Sequence, residues 1–272
     1  MIFLIRQVLK TFAQLFPKGK HRNRAILLAA IATIVPLSQL FVIRIFSHMI
    51  TQGSSAQVAE VIFNFVLFFS LFGLSHIATY WQKTYRVKVF NEALKSRDGK
   101  RSRMTESWDW ALSFETNNLL HTFTQVAVLS TFFIVVNWES GLINLALIAI
   151  TFIFIKMTFK KQVLTQEGFA LAQKNKEIVE NVTKVRARVK SAEISTLFAN
   201  AAFIVSLAAL LAFSFLGRVN PADAVMLFLG FRMQNSNLVQ TSGSLMRFAR
   251  AKALSEAPEK YRDLKLDEEE LG

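Results

Sequence analysis

The sequence predicts an all-α, polytopic membrane protein with six membrane-crossing helices, an N-terminal interfacial elbow helix and two cytoplasmic helical extensions. Three observations carry that expectation. Of the 272 residues 52% are hydrophobic, with 26 phenylalanines against only 10 glycines and 4 prolines, so breakers are too scarce for a β-rich chain. Apolar runs long enough to cross a hydrocarbon core, about 20 residues, recur along the chain. The lysines and arginines collect between alternate runs. Absence of cysteine removes disulfides, thiolate metal sites and thiol nucleophiles.

Residues 2–16 (IFLIRQVLKTFAQLF) set Ile2, Ile5, Leu9, Phe12 and Phe16 at three- and four-residue steps, with Arg6, Gln7, Lys10 and Gln14 between them. This predicts a helix lying on the inner leaflet, turned inward at Pro17 and Gly19. Arg6 and Lys10 interrupt the first apolar run and no small-residue site follows, so no cleaved signal peptide is expected. The predicted spans are 25–48, 58–81, 119–138, 141–159 and 194–217. A sixth, 222–246, is apolar only in its first half. Tight turns are expected at 53–55, between Trp138 and Gly141, and at 218–221.

The mean hydropathy is +0.34 and the isoelectric point near 10.2, with a formal charge of +13. Sorted by position, 29 of the 32 cations fall in residues 1–24, 82–118, 156–192 and 247–272. Only Arg44, Arg218 and Arg232 lie elsewhere, while Glu60, Glu139 and Asp223 border the short turns. Because cytoplasmic segments carry the excess of Lys and Arg, the charge reads as topology: both termini cytoplasmic in a bacterial inner membrane, lipid as the surrounding partner, and no nucleic acid. Residues 1–20 form the elbow, 21–252 the transmembrane domain and 253–272 a cytoplasmic tail.

The two basic excursions read as helices continuing out of the membrane. In the first, 107–114 (SWDWALSF) is aromatic and amphipathic, which makes Trp108, Asp109 and Trp110 candidates for partner docking or an interfacial anchor. In the sixth span, Arg232, Gln234, Asn235, Asn237, Gln240 and Thr241 lie in a polar run that cannot face lipid. They are candidates for lining a central pathway, unless the bilayer ends near Leu238 and the run is a cytoplasmic helix. Arg232 near mid-membrane costs roughly 2.5–3.5 kcal/mol on insertion scales. A substrate anion, a lipid phosphate or an intramembrane partner would offset it.

His76 and His121 fall towards the inner ends of their spans, as a proton-sensitive pair or as plain helix contacts. The sequon at Asn181 falls on the cytoplasmic side. No metal spacing, nucleophile–base set or glycine-rich phosphate loop occurs, so no metal or cofactor is expected.

The order of parts, with residues 217–252 (GRVNPADAVMLFLGFRMQNSNLVQTSGSLMRFARAK) and a basic elbow running into a proline-containing first span over 16–46, resembles the transmembrane domain of an ABC exporter of the type IV fold. The resemblance implies two such chains, alike or different, around a pathway for an anionic or amphipathic substrate. It covers most of the chain in topology and rests on no invariant motif. Two departures stand out. No G-x-x-x-x-G-K-[ST] loop is present and residues 247–272 are far too few for a nucleotide-binding domain, so the chain is expected not to be an enzyme and ATP to act only through a partner subunit. The cytoplasmic excursions are also short for the family. The alternative expectation is a scaffold or assembly subunit of a larger membrane complex that kept the helices and lost the motor.

Overall fold

The computed structural model describes residues 2–16, 19–52, 58–95, 103–175 and 179–270. Among them the chain forms seven helices and no strand: α1 (Ile2–Leu15), α2 (Lys20–Gln52), α3 (Val58–Lys95), α4 (Arg103–Val136), α5 (Trp138–Lys174), α6 (Asn181–Phe215) and α7 (Pro221–Glu270). The expected turn at 53–55 and Pro17 lie outside the described residues. So do 96–102 and 176–178 in the two excursions.

Five helices are long and apolar enough to cross a bilayer, over Lys20–Ile50, Val58–Glu92, Ser107–Val136, Trp138–Ala172 and Asn181–Phe215, with mean hydropathies between 1.8 and 2.4. This is an architecture for a multi-pass membrane protein. The run expected as a sixth span falls in α7, which is not among the five because polar residues fill its middle. At 50 residues α7 is about 75 Å long, and it continues unbroken through the boundary expected at 252.

Helices consecutive in the chain from α2 to α7 run antiparallel, and contacts at the two ends fix their order. At one end Arg44 of α2 meets Asp223 of α7 at 3.4 Å, and Arg218 meets Glu139 of α5 at 2.8 Å. At the other, Arg24 of α2 pairs with Glu92 of α3 at 2.9 Å and Arg247 of α7 with Glu115 of α4 at 2.6 Å. Two of the three cations left outside the basic segments are therefore neutralised by the sparse acids of the opposite end.

Helix α4 is central: it packs on α1, α2, α5 and α7, and lightly on α3. Its turn into α5 is one residue tighter than the sequence reading, since Asn137 alone separates the helices and Trp138 opens α5. Asn137 caps α5 by accepting from the Ser140 amide through Oδ1 at 2.9 Å. Gly141 lies so close to α4 that a Cβ there would fall 2.5 Å from the Ile134 nitrogen. The α6–α7 turn also follows local rules. Gly217 takes φ +72° as the C′ residue, with the Arg218 amide bonded to the Phe213 carbonyl at 2.9 Å. Asn220 accepts from the Asp223 amide at 2.8 Å, and Pro221 opens α7 where its missing N–H costs nothing.

Helix α1 lies across the basic end. Phe3 sits 5.1 Å from Lys160 Nζ on α5, and Phe16 is 5.4 Å from Phe90 on α3. Its buried face is Leu4, Val8, Thr11, Phe12, Leu15 and Phe16. That is a rotation from the stripe read in the sequence: Leu9 is exposed and Ile5 half-buried, because α4 takes the face that includes Leu4 and Val8. By contrast α3 is largely uncovered, with Val61, Ile62, Phe65, Phe69 and Ile77 all exposed.

Candidate functional site

The polar run of α7 divides by helical period into two faces. One enters the bundle. Gln234, 1% exposed, donates from Nε2 to Ser130 Oγ on α4 at 2.8 Å and to the Val126 carbonyl at 3.3 Å. Thr241 is buried and returns its hydroxyl to the Asn237 carbonyl at 2.7 Å. Ser242 reaches the Ala192 carbonyl of α6 at 3.1 Å, and Ser244 accepts from Arg247 at 3.0 Å. Lipid supplies no hydrogen bonds, so polar side chains at helix contacts both pay their desolvation and fix helix register.

The other face is open. Arg232, Ser236, Gln240 and Arg247 are exposed at steps of three to four residues or their sums, flanked by half-buried Asn235 and Asn237. Asn235 donates to Asn200 Oδ1 on α6 at 2.9 Å. Arg232 forms no ion pair among the described residues. The structure thus separates the six α7 candidates: Arg232 and Gln240 stay on the open face, Asn235 and Asn237 lie at its edge, and Gln234 and Thr241 go inside.

Between α5, α6 and α7 lies a cavity of about 10 Å³ lined by Asn144, Ser206, Gln234 and Asn235 among apolar side chains. That is about the space one water needs. Oδ1 of Asn144, Oε1 of Gln234 and Oδ1 of Asn235 are buried acceptors without a protein donor.

Trp108, Asp109 and Trp110 are engaged within the chain. Asp109, 5% exposed, accepts from Ser255 Oγ of α7 at 2.6 Å. Arg250 lies 5.0 Å over the Trp108 ring, and Trp110 meets Phe90 edge-on at 6.2 Å. The first turns of α4 are therefore a junction of α1, α3 and α7. His76 is exposed and its ring meets Phe72 at 4.6 Å. Among the described residues no group of three or more His, Asp or Glu side chains is arranged to hold a metal.

Sequence reasoning missed the polar layer at the basic end: Glu115 with Arg247, Arg86 donating to Asn118 Oδ1 at 2.7 Å, and Ser191 donating to Gln162 on α5 at 3.0 Å. Its signal was present as Gln162 and Gln166, one turn apart in α5. A second recess, about 250 Å³, lies between α2 and α3, apolar along Leu27, Ile31, Leu74 and Ile77 and polar at Arg24 and Gln82.

Compared with models of known protein families the sequence matches none, and no curated protein matches it.

Proposed function

We propose that the chain is the membrane subunit of an exporter-like transport system, with α2 to α7 crossing the bilayer six times, α1 as an interfacial elbow on the inner face, and ATP hydrolysed by a separate partner. The observation that carries this reading is the open polar face of α7. Exposed residues such as Ile62, Phe65 and Phe69 on α3 and Leu197, Ile204 and Leu211 on α6 are apolar and suit lipid, whereas Arg232, Ser236 and Gln240 on α7 present charge, hydroxyl and amide groups. Such a face belongs to a wet path or to a second chain, since exposure to hydrocarbon is costly. Two copies, or one copy and a similar chain, would enclose it, and Arg232 would favour an anionic or amphipathic substrate. The clustering of cations at the end holding α1 supports that end as cytoplasmic.

The chain has no native cysteine, so single substitutions report position cleanly. Arg232→Cys, Ser236→Cys and Gln240→Cys in membranes should react with a water-soluble maleimide, and Phe65→Cys and Phe69→Cys on α3 should not. Equal protection at both sets would sink the pathway.

A second reading, a motor-less scaffold within a larger membrane complex, draws on the packing of Gln234, Thr241, Ser242 and Ser244 into the bundle. Transport assays with each candidate ATPase decide between them: nucleotide-stimulated transport excludes the scaffold, and its absence alongside a stable complex with other membrane machinery establishes it.

A further inference from the structure

At the basic end, among the described residues, α5, α6 and α7 gather three arginines and two buried amides around one ion pair, Arg247 with Glu115. The Ser242 bond to the Ala192 carbonyl fixes the register of α6 against α7. Because the two helices are antiparallel, Arg188, one turn before Ala192, stands level with the turn holding Arg247 and Arg250. Arg188 lies close enough to feel both like charges. It has no ion-pair partner among the described residues, and its Nε is buried without an acceptor.

On α5 the Ser191–Gln162 bond sets the facing register, which brings Gln166 to the level of Arg188. Gln162 and Gln166 are 1% and 6% exposed, and Nε2 of each lacks an acceptor. The carboxylate at hand, Glu115, is engaged by Arg247. Its Oε2 lacks a hydrogen-bond partner among the described residues, Arg86 on α3 also draws on its charge, and Asp109 on α4 is bonded to Ser255. Arg250 is held over Trp108. Arg247 is exposed, and Arg188 and Arg250 are partly so, which leaves the group reachable from outside.

We propose that Arg188, Arg247 and Arg250, backed by Gln162 and Gln166, bind an anionic phosphate group carried by a lipid headgroup or by a soluble phosphorylated molecule. Guanidinium forks match phosphate oxygens in pairs, and three of them around one anion convert mutual repulsion into attraction. The buried amides add neutral donors on the inner side. The site requires only the packed bundle and stands whether or not the chain transports anything.

The test is a thermal-unfolding titration of the full chain in neutral detergent at constant ionic strength, with phosphatidylglycerol, phosphatidylcholine or pyrophosphate. A saturable rise in midpoint is expected with an anionic phosphate and not with phosphatidylcholine. A response to phosphatidylglycerol alone identifies a lipid headgroup, and a response to pyrophosphate identifies a site open to soluble phosphates. Arg188→Ala should weaken the apparent affinity about tenfold or more, the worth of one charge-assisted contact. Arg218→Ala, at the opposite end, should leave it unchanged. Without added anion, Arg188→Ala should melt at or above the parent midpoint, because a like-charge repulsion is gone. The proposal is overturned if neither anion gives a saturable shift, if Arg188→Ala binds as tightly as the parent, or if it melts lower in the anion-free sample.

Discussion

Gln234 on α7 and Ser130 on α4 are joined by a 2.8 Å hydrogen bond inside the bundle, 104 residues apart in sequence. The bond ties the two most extensively packed helices together at the point where the α7 sequence turns polar. Interhelical bonds of this kind average about 0.6 kcal/mol, with a maximum near 1.7. A double-mutant cycle with Gln234→Ala and Ser130→Ala should return a coupling in that range, read from unfolding midpoints in detergent. Zero coupling would mean the contact contributes nothing to holding α4 against α7.

The α4–α5 hairpin depends on Gly141. In the Gly141→Ala variant the new methyl would meet backbone of α4, which cannot move aside as a side chain would. A loss of about 1–3 kcal/mol is expected from such overpacking, and a melt equal to the parent's would refute the close approach. Gly230→Ala should also destabilise, since its methyl would meet the buried Phe133 ring at 2.5 Å, which is itself packed on Phe231.

At the α6–α7 turn, Gly217→Ala forces an L-residue into the left-handed region at a cost of about 1–2 kcal/mol. Asn220→Ala removes the α7 cap at about 0.5–2 kcal/mol. Proteolysis at the turn in intact membranes should speed up in both variants. By contrast Arg218→Ala breaks an exposed pair with Glu139 and should cost under about 1 kcal/mol.

Arg232 of α7 forms no ion pair among the described residues. If it faces a substrate path, Arg232→Ala should lower nucleotide-stimulated transport with a partner ATPase while leaving the unfolding midpoint within about 0.5 kcal/mol of the parent. Arg232→Lys should recover part of the activity. Unchanged transport in Arg232→Ala removes this residue from the pathway.

The helices and their order were legible in the sequence because apolar length and turn chemistry are local. Asn220, Pro221 and Gly217 announce the α6–α7 turn, and the pairing of Arg218 with Glu139 bears out the reading of a sparse charge set at that end. The rotation of α1 was not legible. Its sequence offers apolar residues on more than one face, and only the docking of α4 selects Leu4 and Val8 over Leu9. Trp108, Asp109 and Trp110 read as candidates for partner docking or an interfacial anchor, and the contacts of Trp108 with Arg250 and of Asp109 with Ser255 were not legible because both partners stand on a helix whose path no local pattern predicts.

Composition and charge order alone determined a helical chain with five strongly apolar segments, a polar sixth and its basic residues gathered in alternate connections. Those properties follow from the hydrocarbon width and from each helix satisfying its own backbone. The tertiary structure alone decided which side of α7 is open. A polar run is equally polar all round until neighbours choose a face, and here α4 and α6 took Gln234, Thr241 and Ser242 and left Arg232, Ser236 and Gln240 outside.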